Sequence, residues 1–160
     1  FFFAMRLFCL LAWSILLGCR AQTLQRYDLP EAQARLALCN DGSPAIYYSD
    51  AALPTTPGAK ILVYLQGGGF CNSAAACAQR LVDNPELAST TAYSWPSTLS
   101  PDTVLLSDAT LNPGFYDYIH VFVPYCSSDI WQGDRESSSA TASLQFRGTR
   151  IVEAVIATLI

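Results

Sequence analysis

The sequence predicts an α/β fold, a mostly parallel sheet flanked by helices. Two runs, Ile61 to Leu65 and Tyr118 to Val123, are almost continuously apolar and bounded by turn residues, the pattern of strands buried on both faces. Each is followed by a stretch with helical character, Asn72 to Leu87 and Phe146 to Ile160. The resulting order of strand, helix, strand, helix favours parallel strands joined by crossover helices. With 160 residues, 51% of them hydrophobic, the chain can bury one modest core, which bounds it to one domain or part of one.

The first residues, "FFFAMRLFCLLAWSILLGCRAQT", are expected to lie outside that fold. From Met5, a single arginine precedes an apolar stretch, Leu7 to Leu17, which is too short to cross a bilayer and suits a signal peptide. Cleavage after Ala21 is one reading. "LLGC", Leu16 to Cys19, resembles the lipobox of a bacterial lipoprotein, and the second reading puts a lipid on Cys19 as the new N-terminus. An uncleaved anchor that includes Phe1 to Phe3 is the third. Residues 1–21 are thus expected to be a leader and 22–160 the folded part, exported to the cell surface, cell wall or medium.

Asn40 to Pro44 form a turn signal before a Tyr-rich run, which reads as a strand entering the sheet. "LPTTPGAK" is a loop, and the strand Ile61 to Leu65 then stops at Gly67, Gly68 and Gly69. Asn72 or Ser73 is the expected N-cap of an Ala-rich helix that Pro85 interrupts. Ser89 to Tyr118 has no clear period and reads as surface loop. The second strand stops at Pro124, Ser127 to Ser143 reads as polar loop, and the last helix places Ile151, Val155, Ile156 and Leu159 on one face. No stop signal precedes Ile160, so the sequence reads as truncated in mid-helix.

Of six cysteines, Cys9 and Cys19 belong to the leader, and the other four allow three pairings. The short loop between them favours Cys71 with Cys77, which leaves Cys39 with Cys126. There is no CxxC and only one histidine, His120, so no metal is expected. The formal charge of -4 and scattered basic residues speak against a nucleic-acid partner.

Three glycines at the end of a buried strand suit few kinds of chemistry. A phosphate loop needs a lysine that does not follow Gly69, and in a dinucleotide fingerprint begun by Gly67 and Gly69 the third glycine's place is taken by Asn72. The remaining choices are an oxyanion loop, whose backbone amides bind a developing carbonyl oxyanion, and a tight turn without chemistry.

Four segments, "CNDGSPAIYY" (Cys39 to Tyr48), "YLQGGGFC" (Tyr64 to Cys71) with Cys77 and Arg80 after it, "LNPGFYDYIHVFVPYCSSDIWQGD" (Leu111 to Asp134) and "FRGTRI" (Phe146 to Ile151), resemble the pectin acetylesterase and Notum family of secreted serine esterases, in family order. "VPYCSSDIW" is closer to the Notum side, and "GGGFC" to the plant-type GGGWC. The resemblance implies an α/β-hydrolase fold of which this chain is the N-terminal part, and a Ser, Asp, His triad. It implies the same two disulfides, Cys71 with Cys77 and Cys39 with Cys126. The family's nucleophile sits in a G-x-S-A-G-G elbow just beyond the last helix, and no G-x-S-x-G occurs in this sequence, so no catalytic triad residue is expected in it.

On the same resemblance, Gly68 and Gly69 donate the first half of an oxyanion hole and Gly67 makes the turn. Phe70, Ser128, Asp129 and Trp131 are expected to shape the substrate pocket, and His120 to be structural. The function expected is hydrolysis of an O-acyl ester through an acyl-enzyme, without metal or cofactor, the acyl group being acetyl on a pectin-like polysaccharide or a longer chain on a protein. The alternative is a non-catalytic glycan-binding or lipid-anchored surface domain of the same fold, with membrane contact only through Cys19.

Overall fold

The computed structural model describes residues 22–53 and 55–159. The leader readings for residues 1–21, Cys19 included, lie outside the described residues. Five strands, β1 (Leu24–Asp28), β2 (Ile46–Ser49), β3 (Ile61–Leu65), β4 (Thr98–Leu99) and β5 (Ile119–Val123), form one sheet in the order β3-β5-β2-β1-β4. Two helices, α1 (Ala74–Asp83) and α2 (Gly148–Leu159), accompany it. The α/β class stands, but the described sheet is mixed. Only β3 and β5 run parallel, with Val63 opposite Val121, while β1 with β2, β2 with β5 and β1 with β4 are antiparallel. The parallel pair needs the long crossover that α1 supplies; β1 and β2 are joined by a compact reversal without a long helix.

The sheet is covered on both faces, and the period of two sorts its side chains. Tyr47, Val121 and Val123 face one core with Cys39, Cys126, Ile151, Ala154, Val155 and Leu159. Ile46 and Tyr48 face the other, with Leu24, Trp95 and Leu105. This double cover is why all of β2 is buried.

Three sequence expectations are corrected. Ile156 is 50% exposed, because it lies well round the helix from Ile151; Ala154 takes its place on the buried face. The stretch Ser89 to Tyr118 is not all surface loop. Trp95 and Leu105 are core residues, Tyr48 Oη donates to the Pro96 carbonyl (2.7 Å), and β4 adds an edge to β1. β3 is not buried on both faces, because it lies at an edge of the described sheet: its residues are at most partly buried and Tyr64 is exposed. Ser73, one of the two expected caps, starts α1 by accepting the Ala76 amide (3.2 Å), and α1 ends at Asn84, ahead of Pro85.

The disulfides are Cys39–Cys126, which ties the turn before β2 to the end of β5, and Cys71–Cys77, which ties the glycine segment to α1. The segment between β5 and α2 is held by ions: Asp134 accepts from Arg150 (2.8 Å) and Arg147 (2.5 Å). The Arg150 bond first, then that of Arg147, holds the Asp134 carboxyl below the usual carboxylate range. A carboxyl whose value is lowered by folding stabilises the fold above its unfolded value near 4 and loses that contribution as pH falls through the lowered one. Asp134→Asn is therefore expected to flatten the acid limb of a stability profile taken from pH 7 to pH 2 by denaturant unfolding. The effect is small, because solvent screens the half-exposed pair.

Candidate functional site

β3 and β5 end side by side, and the chain leaves both at the carboxyl edge of the parallel pair, where open α/β sheets bind ligands. Gln66 continues the ladder by donating its amide to the Val123 carbonyl (3.1 Å). Its side chain accepts the Tyr125 amide (2.9 Å), and its carbonyl accepts Trp131 Nε1 (3.1 Å). The two departing segments are thus stitched together before the glycines begin.

Gly68 sits against Tyr125, and a Cβ there would overlap the tyrosine ring. Gly69 has φ +70°, which a side chain rarely tolerates. Arg80 of α1 donates to the Gly68 carbonyl (2.5 Å), and its guanidinium lies 5.8 Å from the Tyr125 ring centre. Tyr125 Oη donates to the Gly69 carbonyl (2.6 Å) and accepts the Ile130 amide (2.6 Å). Burial pushes the Tyr125 hydroxyl above its ordinary value, against the opposing bond from Ile130, so it remains a donor through neutral pH. Among the described residues, the amides of Gly67, Gly68 and Gly69 donate to no protein acceptor. They line a pocket of about 160 Å³ with Gln66, Tyr125, Ile130 and Trp131.

The segment that brings Ile130 and Trp131 to the pocket is strained. Ser128, Ile130 and Trp131 have φ of 51°, 53° and 65°, a conformation that is costly for a β-branched or bulky residue and that persists only where surroundings enforce it. Here Asp129 enforces it. One carboxylate oxygen accepts Ser127 Oγ (2.6 Å) and the Trp131 amide (3.1 Å), and the other accepts the Gly148 amide (2.8 Å), which caps the start of α2. Gly133 and Gly148 have no room for a side chain beside that carboxylate. Ser128 Oγ donates to Asn40 Oδ1 (2.6 Å), and Asn40 Nδ2 donates to the Ser127 and Gln145 carbonyls.

Of the residues expected at the site, Gly67, Gly68, Gly69 and Trp131 line the pocket. Phe70 does not. It is 61% exposed on the rim, joined to Asp129 only by a backbone bridge. Ser128 and Asp129 do not line it either: Ser128 is buried against Asn40, and Asp129 spends its oxygens on the backbone of its own loop and of α2. His120 is buried away from the pocket, Nδ1 2.8 Å from Asp50 Oδ2 and Nε2 3.0 Å from the Phe115 carbonyl. Gln66, Tyr125 and Ile130 line the pocket without having been singled out in the sequence. For Gln66 and Tyr125 the available signal was a polar or hydroxylated residue just past the end of each apolar strand, and Ile130 carried none.

Residues 20–160 match the family model described as pectinacetylesterase. The palmitoleoyl-protein carboxylesterase NOTUM of Schmidtea mediterranea is 36% identical over 118 residues, 74% of this chain and 21% of the relative. The inactive palmitoleoyl-protein carboxylesterase notum1b of Danio rerio is 38% identical over 95 residues, 59% of this chain and 65% of the relative. The solved structure of the Wnt deacylase Notum from Drosophila superposes with a TM-score of 0.72 at 32% identity, covering 84% of this chain and 37% of that one. The chain spans about a fifth of the length of the planarian relative.

Proposed function

The chain belongs to the pectin acetylesterase and Notum family of carboxylic ester hydrolases, and from that premise we propose that the full-length protein is an extracellular serine carboxylesterase to which residues 22–160 contribute the N-terminal part of the catalytic domain. The observation that carries the proposal is that Gly67 to Gly69, whose amides have no protein acceptor among the described residues, line a pocket at the carboxyl end of β3. Glycine allows the backbone to approach an ester closely, and such donors act where charge develops.

In this reading Gly68 and Gly69 receive the carbonyl oxygen of the substrate, and Gly67 sets the turn. The nucleophile comes from beyond Ile160. Among the described residues β3 has a neighbour on one edge only, β5. A strand following α2 through a right-handed crossover would pair with the free edge and end beside the glycines. Its serine Oγ attacks the carbonyl carbon while a histidine takes the proton, and the carbonyl electron pair moves onto the oxygen held by the amides. Collapse expels the alcohol, which takes the proton, and water repeats the sequence on the acyl-serine.

The rim favours an acyl chain on a protein over acetyl on a pectin-like polysaccharide: Phe70 and Ile130 are 61% and 52% exposed beside the loop, and the relatives above are named for removing palmitoleoyl groups from proteins. Two disulfides fit an oxidising compartment, and residues 1–21 serve as the export leader, with mass spectrometry of the mature N-terminus separating cleavage after Ala21 from lipidation of Cys19. The catalytic test is turnover of para-nitrophenyl acetate and octanoate by the full-length protein. Octanoate is expected to be preferred, and Ser→Ala at the elbow to abolish both activities. Preference for acetate would favour the polysaccharide substrate. Absence of turnover would favour a non-catalytic surface domain, a state for which the inactive zebrafish relative is a precedent.

A further inference from the structure

A trans peptide unit is planar, and its carbonyl and the next residue's N–H point in opposite directions. A donor that fixes the carbonyl of one residue therefore aims the amide of the next. Arg80 Nη2 holds the Gly68 carbonyl (2.5 Å) from the helix side, and that bond sets the direction of the Gly69 N–H. Tyr125 Oη holds the Gly69 carbonyl (2.6 Å), and its own position is set by the Ile130 amide (2.6 Å). The same phenol ring fills the space that a side chain at position 68 would need and lies under the Arg80 guanidinium, 5.8 Å away. Gly69, with φ +70° and nothing within 4 Å of a notional Cβ, has no packing of its own to fix it. Its orientation depends on what grips the carbonyls on either side.

We propose that Arg80 and Tyr125 are positioning residues for catalysis: by gripping the Gly68 and Gly69 carbonyls they hold the Gly69 amide on the substrate oxygen as it becomes an oxyanion. Neither touches the substrate oxygen. The proposal rests on the oxyanion reading of the glycine loop, and it adds where the aim of that loop comes from. Without these grips the peptide unit between Gly68 and Gly69 can rotate, and a donor displaced by about 1 Å costs on the order of a hundredfold in rate.

Full-length Arg80→Met, Arg80→Lys and Tyr125→Phe are compared with the parent protein for kcat, KM and affinity for an alkylboronic acid, whose tetrahedral serine adduct carries a charged oxygen, and for the corresponding alkanoic acid, which does not form one. In Arg80→Met kcat and boronate affinity are expected to fall together by on the order of a hundredfold, with KM and alkanoic acid affinity within about twofold of the parent. Arg80→Lys, which keeps one donor, recovers part of the loss. Tyr125→Phe keeps the ring against Gly68 and is expected to lose about tenfold in both quantities, and it carries the test if Arg80→Met does not fold. A merely structural role would lower thermal stability without this split between transition-state and ground-state ligands. If the parent binds boronate well and both the Arg80→Met and Tyr125→Phe variants bind it equally well, the positioning role is overturned while the oxyanion loop stands. If the parent itself binds boronate no better than the alkanoic acid, the oxyanion reading falls and the proposal with it.

Discussion

Gly68→Ala in the full-length protein is expected to lower kcat for the proposed ester hydrolysis by a factor on the order of 10³. The added Cβ would overlap the Tyr125 ring and come within 3.2 Å of Arg80 Nη2. Tyr125 cannot retreat freely, because its hydroxyl bridges the Gly69 carbonyl and the Ile130 amide and its ring packs 5.0 Å from that of Trp131. The glycine loop therefore moves, and with it the amides that are to face the oxyanion. Overpacking of this kind also costs about 1–3 kcal/mol of stability, so a parallel melt separates the two effects. Activity lost at a temperature where the variant remains folded belongs to the loop. Gly114→Ala is the matched control, since nothing lies within 4 Å of a Cβ there and the residue is not among those that line the pocket; its kcat is expected to equal that of the parent. Equal kcat for Gly68→Ala and the parent would mean that the glycines only turn the chain.

The second large effect is on stability. Replacing Cys39 and Cys126 together by alanine is expected to lower the unfolding free energy by roughly 4–5 kcal/mol, because the bond closes a loop of sequence separation 87 and the denatured chain gains the freedom it releases. That is a large share of the stability of an ordinary domain. Both sulfurs are buried in the core between the sheet and α2, so the substitution also leaves a void. The Asn40 amide donates to the Cys126 carbonyl (2.9 Å), and Asn40 in turn holds Ser128 in its left-handed conformation. Loss of the bond is thus felt at the pocket as well. The Cys71–Cys77 bond, with a separation of 6, is expected to contribute only about 2 kcal/mol on the same reasoning. Denaturant midpoints of the two double variants, compared with that of the parent, check the ordering. A larger loss from the short loop would contradict it.

Much of this architecture was legible from local pattern. The apolar runs around Val63 and Val121 declare strands, although of the two only β5 has buried residues and β3 is partly covered at an edge of the described sheet, and the start of α1 follows from Ser73, with its end marked by Pro85. Other elements were hidden because their cause is not local. β1 reads "LQRYD", with a single buried residue, and β4 is two residues long; each exists as a strand because a neighbour supplies its hydrogen bonds. Ile156 was misplaced because the helix is apolar beyond the width of its contact with the sheet. At the site, the glycines announced themselves as a loop at the end of a strand. What holds them did not, since Tyr125 and Gly69 are 56 positions apart and Asn40 and Ser128 are 88 apart. The sequence motif around Ser128 and Asp129 looked like pocket chemistry, and folding turned those side chains inward to brace a strained backbone.

The most direct measurement is a crystal structure of the full-length protein with an alkylboronic acid bound to its serine. The account predicts a boronate oxygen at about 2.7–3.1 Å from the amide nitrogens of Gly68 and Gly69, with Arg80 and Tyr125 still holding the carbonyls behind them. A boronate oxygen that finds its donors elsewhere, with those amides turned to solvent or to protein carbonyls, would contradict it.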